Sequence, residues 1–290
     1  IKYMNEIKDL AYFYEKIFSK TDSESELYKL NHRTNSEIVI SKELADMFDV
    51  GKEMYNWSKG YFDISAGKLI DLWDIKNRTT LPDAKEIKEM SKYNGSFDYS
   101  IVEDEGNDKN LSKIVFNTDK GSTYDFGALV KGYVADRIRE ILISNSKIEA
   151  AIINLGGNVC CYGEQKEREN GMFVVGVYKP FSENEIVYKV SVRDKCVITS
   201  GNYQRYFKVP GDDRIYHHII NPKHGYPVDN GIDSVTIISE NGLLGDYLST
   251  ACMLLGEKYG KELIDGCKKE FDDNDIEAIF IHSDGSVVRY

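Results

Sequence analysis

The chain has 290 residues, 41% of them hydrophobic, enough for a large buried core in one big domain or in a core with a small lobe. Its 37 Lys and Arg residues against 48 Asp and Glu residues give a formal net charge of −11, and no stretch is dominated by basic residues. Nucleic acid and acidic membrane surfaces are therefore not expected as partners. An anionic ligand would have to be held by a metal ion, a placed lysine or helix N-termini.

The first half of the chain is predicted to be helical. Apolar residues recur at helical spacing in two stretches, and Ser41 stands in the N-cap position of the second. Asp83, with Glu86 three residues later, has the spacing of a capping box and indicates a third helix. The predicted helices cover 4–18, 44–55 and 83–94.

The second half is predicted to consist mainly of strands. A long helical pattern follows Gly127, and one more helix, from about Leu243 to Leu255, interrupts the later strands. The predicted strands cover 150–155, 172–177, 186–192, 196–199, 235–238 and 276–281. Because strands and helices do not alternate regularly, we predict an α+β fold with a mostly antiparallel sheet core flanked by helices. The N-terminal part is expected to be helical and the whole of 1–290 to be a single domain.

The cysteines occur in apolar or helical contexts and lack the CxxC spacing of a zinc or redox site. They are Cys160, Cys161, Cys196, Cys252 and Cys267. A disulfide framework is therefore not expected. No apolar run is long enough to span a bilayer, and an export or anchoring segment removed before Ile1 would leave no trace in these residues.

Segment 123–136, TYDFGALVKGYVAD, crowds glycines, a carboxylate and a lysine around a predicted helix start. Such a start presents unpaired backbone N–H groups and a partial positive charge to an anion, and Lys131 adds a full charge. From this segment alone an alternative stays open, in which Asp125 caps the helix and Lys131 is a solvated surface lysine.

Segment 154–158, NLGGN, follows an apolar strand. Its paired glycines, Gly156 and Gly157, would let a ligand or another backbone approach closely. The alternative is a simple glycine-rich turn.

Segments 199–203, TSGNY, and 217–227, HHIINPKHGYP, combine hydroxyls, imidazoles and a turn with proline and glycine. Neighbouring side chains on an extended segment point to opposite faces, so at most one of His217 and His218 is expected to serve a given site. In the alternative, both histidines only satisfy backbone carbonyls.

Segment 245–250, GDYLST, places Asp246 and Thr250 four residues apart on one face of a predicted helix, with Ser249 beside them. A carboxylate and hydroxyls supply the few hard oxygen ligands that Mg²⁺ takes when phosphates and water complete its shell. The alternative is an aspartate that compensates the helix dipole.

In this order the four motifs resemble the ApbE family of FAD:protein FMN transferases. The family pattern is approximately D-x-G-x-x-x-K-G-Y-x-x-D, then N-x-G-G, T-S-G, H-I-x-D-P-x-T-G and D-x-x-S-T. Two upstream segments are also similar to the family, 25–31 (SELYKLN) and 60–63 (GYFD) followed by Leu69 and Trp73. The resemblance covers nearly the whole chain and implies an ApbE or T-fold-like arrangement.

The resemblance implies a metal site, a flavin pocket and a catalytic pair. Mg²⁺ would be held by the backbone carbonyl of Ala128 and by side-chain oxygens of Asp246, Thr250 and Ser249. His218 would help to deprotonate the acceptor hydroxyl and would be catalytic together with Asp246. The implied FAD-binding residues are Asn31, Tyr61, Phe62, Asp63, Asp125, Lys131, Gly156, Gly157, Thr199, Ser200, His218 and Ile219.

The chain departs from the family pattern in several places that concern the shape of the flavin pocket more than the metal site. Asn221 replaces an Asp, His224 replaces a Thr, Tyr247 fills a position that is usually small, and Thr21 stands where a Tyr is expected. The family's N-terminal strand, with an M-G-T-like segment, is expected to be absent, since the chain starts at the first helix.

The activity that the resemblance implies is Mg²⁺-dependent transfer of FMN from FAD to a Thr or Ser hydroxyl of an acceptor flavoprotein, with release of AMP. One alternative is a Mg²⁺-dependent FAD pyrophosphatase, and another is a protein that binds or scavenges FAD without turnover. The resemblance also implies an extracytoplasmic lipoprotein, which would touch the membrane only through a removed N-terminal lipid anchor.

Overall fold

The structure is a computed structural model that describes residues 2–104, 108–118, 121–144, 147–271 and 275–290. The chain divides into two units. The first comprises Ile1–Phe126 and Ile220–Tyr226, and the second comprises Gly127–Ile219 and Pro227–Tyr290. That the whole chain acts as a single domain stays a prediction.

Three helices of the first unit begin at polar caps that the sequence supplies, at Ser25, Ser41 and Asp83. The helices of this unit are α1 (Lys2–Phe18), α2 (Glu26–Asn31), α3 (Lys42–Trp57), α4 (Gly67–Trp73) and α5 (Ala84–Ser91). Ser41 Oγ accepts a hydrogen bond from the backbone N–H of Leu44 at 3.3 Å at the start of α3. Asp83 and Glu86 form the predicted capping box at the start of α5. The three helices predicted in this half are confirmed.

A three-stranded antiparallel sheet in the first unit corrects the prediction of an all-helical first half. Its strands are β1 (Glu37–Ser41), β2 (Tyr99–Glu103) and β3 (Leu111–Phe116), in the order β1-β3-β2. The apolar and polar residues of these strands do not alternate, so the sequence lacks the period-two pattern of a half-buried strand. Strand β1 also pairs with a strand far along the sequence, which no local pattern can show.

An aromatic core holds segment 124–126 in the first unit. The ring of Phe48 lies 4.7 Å from that of Tyr124 and 5.2 Å from that of Phe126, both edge to face. Tyr99 donates its hydroxyl to the Phe48 carbonyl at 3.1 Å, so the polar end of this buried ring is satisfied. The residues that flank Asp125 are therefore fixed by packing.

The second unit is built on a six-stranded antiparallel sheet of order β15-β14-β13-β8-β5-β4. The strands from this point in the chain are β4 (Ala150–Leu155), β5 (Asn158–Gly163), β6 (Phe173–Tyr178), β7 (Ile186–Val192), β8 (Cys196–Gly201), β9 (Tyr206–Lys208), β10 (Ile215–His217), β11 (Ile220–Asn221), β12 (Tyr226–Pro227), β13 (Ile232–Ser239), β14 (Glu277–His282) and β15 (Val287–Arg289). The strands that were predicted are all present. The α+β class with mostly antiparallel sheets is confirmed.

Two layers cover the sheet of the second unit. Helix α6 (Val130–Ile143) contacts β4 and β5, and helix α7 (Gly242–Glu270) contacts β13 and β8. The β6–β7 hairpin contributes to an apolar cluster with β5, β8, β13 and β14. Helix α7 continues beyond the predicted end at Leu255, through a kink at Gly256, whose φ of 81° is not helical.

Helices α6 and α7 approach each other closely at two glycines. A Cβ on Gly132 would lie 2.1 Å from the carbonyl oxygen of Gly242, so no side chain fits at position 132. The Asp136 carboxylate accepts hydrogen bonds from the backbone N–H groups of Gly242 at 2.8 Å and Leu243 at 2.9 Å. Asn241 caps the same helix through Leu244. Backbone contacts and the partly buried Asp136 carboxylate thus join the N-terminal part of α6 to the first turn of α7.

One disulfide corrects the expectation for the cysteines. Cys160 of β5 lies opposite Cys196 of β8 in the strand register, and the two are bonded. Sequence spacing could not show this, because the two strands become neighbours only in the folded sheet. Cys161, Cys252 and Cys267 are buried free thiols, and burial raises the pKa of Cys161 to about 11. Such a protonated thiol exchanges poorly with a disulfide.

Reduction of the Cys160–Cys196 disulfide is expected to lower the free energy of unfolding by about 2–4 kcal/mol. The bond closes a loop with a sequence separation of 36 residues, so its loss frees the unfolded chain. Thermal unfolding with and without a phosphine reductant measures the effect. The double variant Cys160→Ser/Cys196→Ser is the control and should unfold at one midpoint under both conditions. An identical midpoint for the reduced and oxidised wild type would contradict the prediction.

Candidate functional site

The start of α6 shows that Asp125 does not cap this helix. The helix begins at Val130, and its N-cap position, Leu129, has no side-chain capping bond. Lys131 in the first turn donates from Nζ to Asn158 Oδ1 at 2.8 Å, although its side chain is 43% exposed. The alternative of a capping aspartate and a freely solvated lysine is therefore wrong. Asn158, which sequence analysis placed only in a glycine-rich segment, fixes the direction of this lysine.

Asp246 lies in the second turn of α7 with 2% of its surface exposed. Its Oδ2 accepts a hydrogen bond from the backbone N–H of Gly132 at 3.0 Å, and its Oδ1 is 3.7 Å from Lys131 Nζ. A buried carboxylate requires opposite charge and several donors, and this one has a single hydrogen bond from the described residues. The alternative role of Asp246, compensation of the helix dipole, is therefore less well supported. Dipole effects fall off within the first turn of a helix, and the N-terminus of α7 is capped by Asn241 and Asp136 instead.

Three hydroxyls converge beside Asp246. Ser200 Oγ is 2.8 Å from Ser249 Oγ and 3.0 Å from Thr250 Oγ1. Ser249 Oγ donates to the Asp246 carbonyl at 3.0 Å. We call Ser200, Ser249 and Thr250 the hydroxyl cluster. Thr199 does not join it, because adjacent strand residues face opposite sides of a sheet and Thr199 Oγ1 instead lies 2.8 Å from Thr236 Oγ1.

The turn between β4 and β5 contains the predicted glycine pair. Gly156 and Gly157 have φ values of 62° and 97°, which favour glycine, and a Cβ on either would meet no atom within 4 Å. Gly157 donates its backbone N–H to Asn154 Oδ1 at 3.0 Å. Turn geometry is sufficient to explain these glycines, and their role in flavin binding stays a prediction.

The two histidines have different surroundings. His217 is buried, with Nε2 2.7 Å from the Val228 carbonyl and Nδ1 accepting from the backbone N–H of Ile219. Both ring nitrogens of His217 thus have hydrogen-bond partners within the protein. This agrees with the alternative given above for His217, in which the ring only satisfies backbone groups. His218 Nδ1 is buried and has no hydrogen-bond partner among the described residues. Of these two histidines, only His218 has a ring nitrogen that the described residues leave open to a ligand.

Burial lowers the pKa of His218 to about 4, with further lowering by the charges of His217, Arg205 and Lys131. This pKa is below the ordinary histidine value near 6.5. His218 is therefore neutral at physiological pH and can accept a proton. Ile219, the next residue, is buried and accepts the backbone N–H of Val228 through its carbonyl at 3.0 Å.

In the first unit, Asn31 and Asp125 are held by neighbouring groups. The Asn31 amide donates to the Tyr124 carbonyl at 2.9 Å and accepts from its N–H at 2.8 Å. Asp125 Oδ2 accepts from Lys20 Nζ at 2.8 Å, and the same ammonium lies 2.7 Å from Asp71 Oδ1. Burial opposes the charged lysine, yet the two carboxylates raise the pKa of Lys20 to about 12.

The Tyr61–Phe62–Asp63 turn is organised by its aspartate. Asp63 accepts hydrogen bonds from the backbone and side chain of Ser65 and from the backbone N–H of Gly95 at 2.7 Å. Burial raises the pKa of Asp63. Phe62 is a core residue, whereas the Tyr61 ring lies 4.6 Å from Lys223 Nζ. Flavin contacts by this turn stay predictions.

A cavity of about 370 Å³ in the first unit was not found from the sequence. Its lining residues are Arg33, Gly95, Ser96, Phe97, Asp98, Phe116, Thr118, Ser122 and Tyr124. The Arg33 guanidinium stacks 3.7 Å from the centre of the Phe116 ring. None of the implied flavin-binding residues lines this cavity, and no motif in the sequence marks it.

The proposed metal ligands in the second unit suit Mg²⁺ better than a metal that needs an all-protein cage. Asp246 supplies the charge, Ser249 and Thr250 lie on the same helix, and Ala128 belongs to the turn before α6. The described residues contain no group of three or more His, Cys, Asp or Glu side chains placed to hold a metal. Mg²⁺ commonly uses one or two carboxylates together with substrate phosphates.

Two buried polar atoms near the proposed metal-binding residues would also suit a bound molecule rich in oxygen atoms. Asn158 Nδ2 and His218 Nδ1 are buried and lack hydrogen-bond partners among the described residues. Buried polar atoms are nearly always hydrogen-bonded, so such exceptions indicate groups that await a partner. Phosphate oxygens would accept from Asn158 Nδ2, while Lys131 and the first turn of α6 supply positive charge.

Comparison with known proteins identifies relatives along nearly the whole chain. The model of the ApbE family matches residues 2–280, which cover most of both units. The chain is 31% identical over 278 residues to a FAD:protein FMN transferase of Klebsiella pneumoniae, covering 95% of this chain and 80% of that protein. It is 30% identical over 294 residues to a FAD:protein FMN transferase of Treponema pallidum, covering 98% and 78%.

The fold agrees as well. The crystal structure of the ApbE protein from Thermotoga maritima matches with a TM-score of 0.82 and 28% sequence identity, covering 99% of this chain and 88% of that one. Taken with the family match, this similarity leads to one conclusion: the chain belongs to the ApbE family.

Proposed function

We propose that this chain is an FAD:protein FMN transferase that uses Mg²⁺ to move FMN from FAD to a Thr or Ser hydroxyl of an acceptor flavoprotein. Its relatives in the family carry that enzyme name, which supports FMN transfer from FAD. The main support for Mg²⁺ dependence is the buried Asp246 carboxylate, which lies against Lys131 and the first turn of α6. A carboxylate with so few partners is explained by a cation that arrives with the substrate.

In this mechanism the second unit positions and neutralises the pyrophosphate. Bound Mg²⁺ would supply charge neutralisation at the pyrophosphate oxygens. Asp246, Ser249, Thr250 and the Ala128 carbonyl would hold it. Lys131, held by Asn158, adds a second positive charge where negative charge develops in the transition state.

The transfer step exchanges one phosphorus–oxygen bond for another. The acceptor hydroxyl oxygen attacks the phosphorus on the FMN side, the bond to the bridging oxygen breaks, and AMP leaves with that oxygen. His218, neutral at physiological pH, accepts the hydroxyl proton. Positioning of the hydroxyl against the phosphorus supplies most of the acceleration in such chemistry.

Incubation with FAD, Mg²⁺ and candidate flavoproteins tests this function. The expected result is release of AMP together with an increase in acceptor mass by one FMN. Release of AMP and free FMN without an adduct would indicate the pyrophosphatase, and bound FAD without AMP would indicate a binding protein. Omission of the divalent cation should stop both products.

We also propose that the protein works outside the cytoplasm as an anchored lipoprotein. The Cys160–Cys196 disulfide supports an oxidising compartment, where such bonds persist. None of the helices among the described residues has the length and apolar character to cross a bilayer. Denaturation of intact cells in an alkylating reagent tests the location: Cys160 and Cys196 should stay unlabelled until the disulfide is reduced.

Replacement of Lys131 by alanine is expected to weaken FAD binding by roughly tenfold or more, because a charged hydrogen bond contributes about 1.5–3 kcal/mol. Riboflavin has no phosphate and should bind to the variant nearly as it binds to wild type. Flavin fluorescence titrations with both ligands measure the difference. Lys189→Ala, an exposed lysine of β7, is the control and should change neither affinity. Equal losses for FAD and riboflavin in Lys131→Ala would place Lys131 away from the phosphates.

A further inference from the structure

The Cys160–Cys196 disulfide lies on a face of the six-stranded sheet that also carries two parts of the proposed reaction site. Side chains two residues apart on a strand share a face, so Cys196 is on the same face of β8 as Ser200 of the hydroxyl cluster. Asn158, two residues before Cys160 on β5, is on that face as well and holds Lys131 of α6. The covalent bond thus links the strand that positions Lys131 to the strand that positions Ser200.

The ladder between β5 and β8 ends close to the disulfide. In the described part of the chain it consists of the pairs Val159–Val197 and Cys160–Cys196. Beyond these pairs the chain turns back from Asn158 into β4, whereas β8 continues and pairs with β13 along its whole length. The β4–β5 hairpin is therefore an edge of the sheet that a short ladder joins to β8.

Two further hydrogen bonds from β5 to the segment before β8 lie on the far side of the disulfide from Asn158. The backbone N–H of Cys161 donates to the Lys195 carbonyl at 2.9 Å, and that of Gly163 donates to Asp194 Oδ1 at 2.8 Å. If the hairpin turned about these distant bonds, its Asn158 end would move most. The disulfide opposes that movement, because it joins the two strands between the distant bonds and Asn158.

Asn158 is the residue through which such a movement would reach the site. It is almost fully buried, and its Oδ1 accepts a hydrogen bond from Lys131 Nζ at 2.8 Å. The Lys131 side chain is 43% exposed, so packing alone does not fix its direction. A displaced Asn158 would therefore release Lys131 from the direction in which it is proposed to meet the phosphates.

We propose that the Cys160–Cys196 disulfide is a positioning element of the transfer site, which holds Asn158 in place and thereby directs Lys131 toward the FAD pyrophosphate. This proposal rests on the proposed function and goes beyond the stabilisation expected of any disulfide. Stabilisation through the unfolded chain leaves the ligand affinities of the folded protein unchanged. A positioning disulfide instead changes the affinity for those ligands that Lys131 contacts.

The test compares the affinities for FAD and riboflavin, because only FAD carries the phosphates that Lys131 is proposed to face. The variant is Cys160→Ala/Cys196→Ala, which removes the bond without placing hydroxyls in the core. Cys161→Ala is the matched control, because this buried free thiol is the next residue on β5 but belongs to the apolar cluster of the β6–β7 hairpin. Each variant is also made in Lys131→Ala, which completes a double-mutant cycle. Flavin fluorescence titrations with Mg²⁺ are run well below every unfolding midpoint.

Removal of the disulfide is expected to weaken FAD binding by roughly tenfold, the lower end of the cost of losing an outer partner of a ligand-binding group. Riboflavin affinity should stay unchanged. In Lys131→Ala the same removal should change FAD affinity by less than about twofold, because the group that the disulfide positions is then absent. Cys161→Ala should lower the unfolding temperature but leave both affinities unchanged with or without Lys131.

Reduced wild type provides a second sample without the bond. The protein is reduced with a phosphine in denaturant, refolded under reductant, and its two additional thiols are counted by alkylation of a portion. It should show the same selective loss of FAD affinity. Oxidised glutathione should restore that affinity, because it takes up the two electrons and two protons of the thiols, re-forms the disulfide and leaves as two molecules of glutathione.

Several results would overturn the positioning role. Equal losses for FAD and riboflavin, unchanged affinity for both, or a loss of FAD affinity that is as large in Lys131→Ala as in wild type would each do so. A similar loss of FAD affinity in Cys161→Ala would also do so. Wild type that binds FAD but releases no AMP with Mg²⁺ would remove the proposed transfer function alone, since the affinity cycle needs only binding and still decides the role of the disulfide.

Discussion

Asp246→Ala is expected to lower Mg²⁺-dependent release of AMP from FAD by more than about a hundredfold, since loss of even an outer partner of a metal ligand costs 10–100-fold. Asp246 is the only carboxylate among the proposed ligands, and the alanine variant leaves hydroxyl and carbonyl oxygens that bind Mg²⁺ weakly. AMP release is measured against Mg²⁺ concentration at saturating FAD. The loss should not be rescued by raising FAD, because the missing group binds the metal.

Two further variants distinguish a loss of turnover from a loss of folding stability. Asp246→Asn keeps an oxygen to accept the Gly132 N–H and should fold like wild type, whereas alanine leaves that buried N–H unpaired. Asp136→Asn alters a partly buried carboxylate that caps α7 without belonging to the proposed ligands. It should lower the unfolding temperature yet retain Mg²⁺-dependent turnover below it. Undiminished AMP release by a folded Asp246→Ala would refute the assignment of the metal site.

His218→Ala is expected to bind FAD and Mg²⁺ nearly as wild type does but to transfer FMN roughly a hundredfold or more slowly, the usual cost of losing a general base. The pKa of about 4 sets the pH dependence of the wild type. A base must be unprotonated to act, so the free enzyme's kcat/KM should fall only as the pH drops through about 4 and stay level near the ordinary histidine value. Transfer rates at saturating FAD and subsaturating acceptor, which give kcat/KM for the acceptor, are measured across pH for both proteins and check both expectations.

His217 supplies the matched control for His218. Its ring is satisfied by Val228 and Ile219, so His217→Ala leaves a buried carbonyl unpaired and should cost about 1–3 kcal/mol of stability. Below its unfolding temperature this variant should transfer FMN at a rate close to wild type. A fast His218→Ala, or an inactive but folded His217→Ala, would show that the wrong imidazole was chosen or that no histidine is the base.

Much of the fold could be predicted from local pattern. Strand β7 has the predicted bounds, Ile186–Val192, and the capping box at Asp83 marks the start of α5 as expected. Pairings distant in sequence could not be predicted, as β1 with β3 and Cys160 with Cys196 show. The extension of α7 was missed because Gly256 interrupts the helical pattern.

For the site, motif order identified the right segments but not the role of every residue in them. Asp246, Ser249, Thr250 and Ser200 converge in the structure, while Thr199 faces the other side of the sheet. Strand alternation would have separated Thr199 from Ser200, had the register of β8 been known. Asn158 was missed as a partner of Lys131, because a contact between a strand start and a helix start has no signature in either segment.

The close approach of α6 and α7 has a consequence for the interpretation of mutational scans. Any residue larger than glycine at position 132 would act as a wedge against the Gly242 carbonyl, separating the backbone N–H of Gly132 from the Asp246 carboxylate. Substitutions there would remove activity even though Gly132 has no side chain to touch FAD or an acceptor. Loss of activity on substitution of Gly132 would therefore show that the backbones of α6 and α7 must lie this close together. It would not show that Gly132 takes part in the reaction.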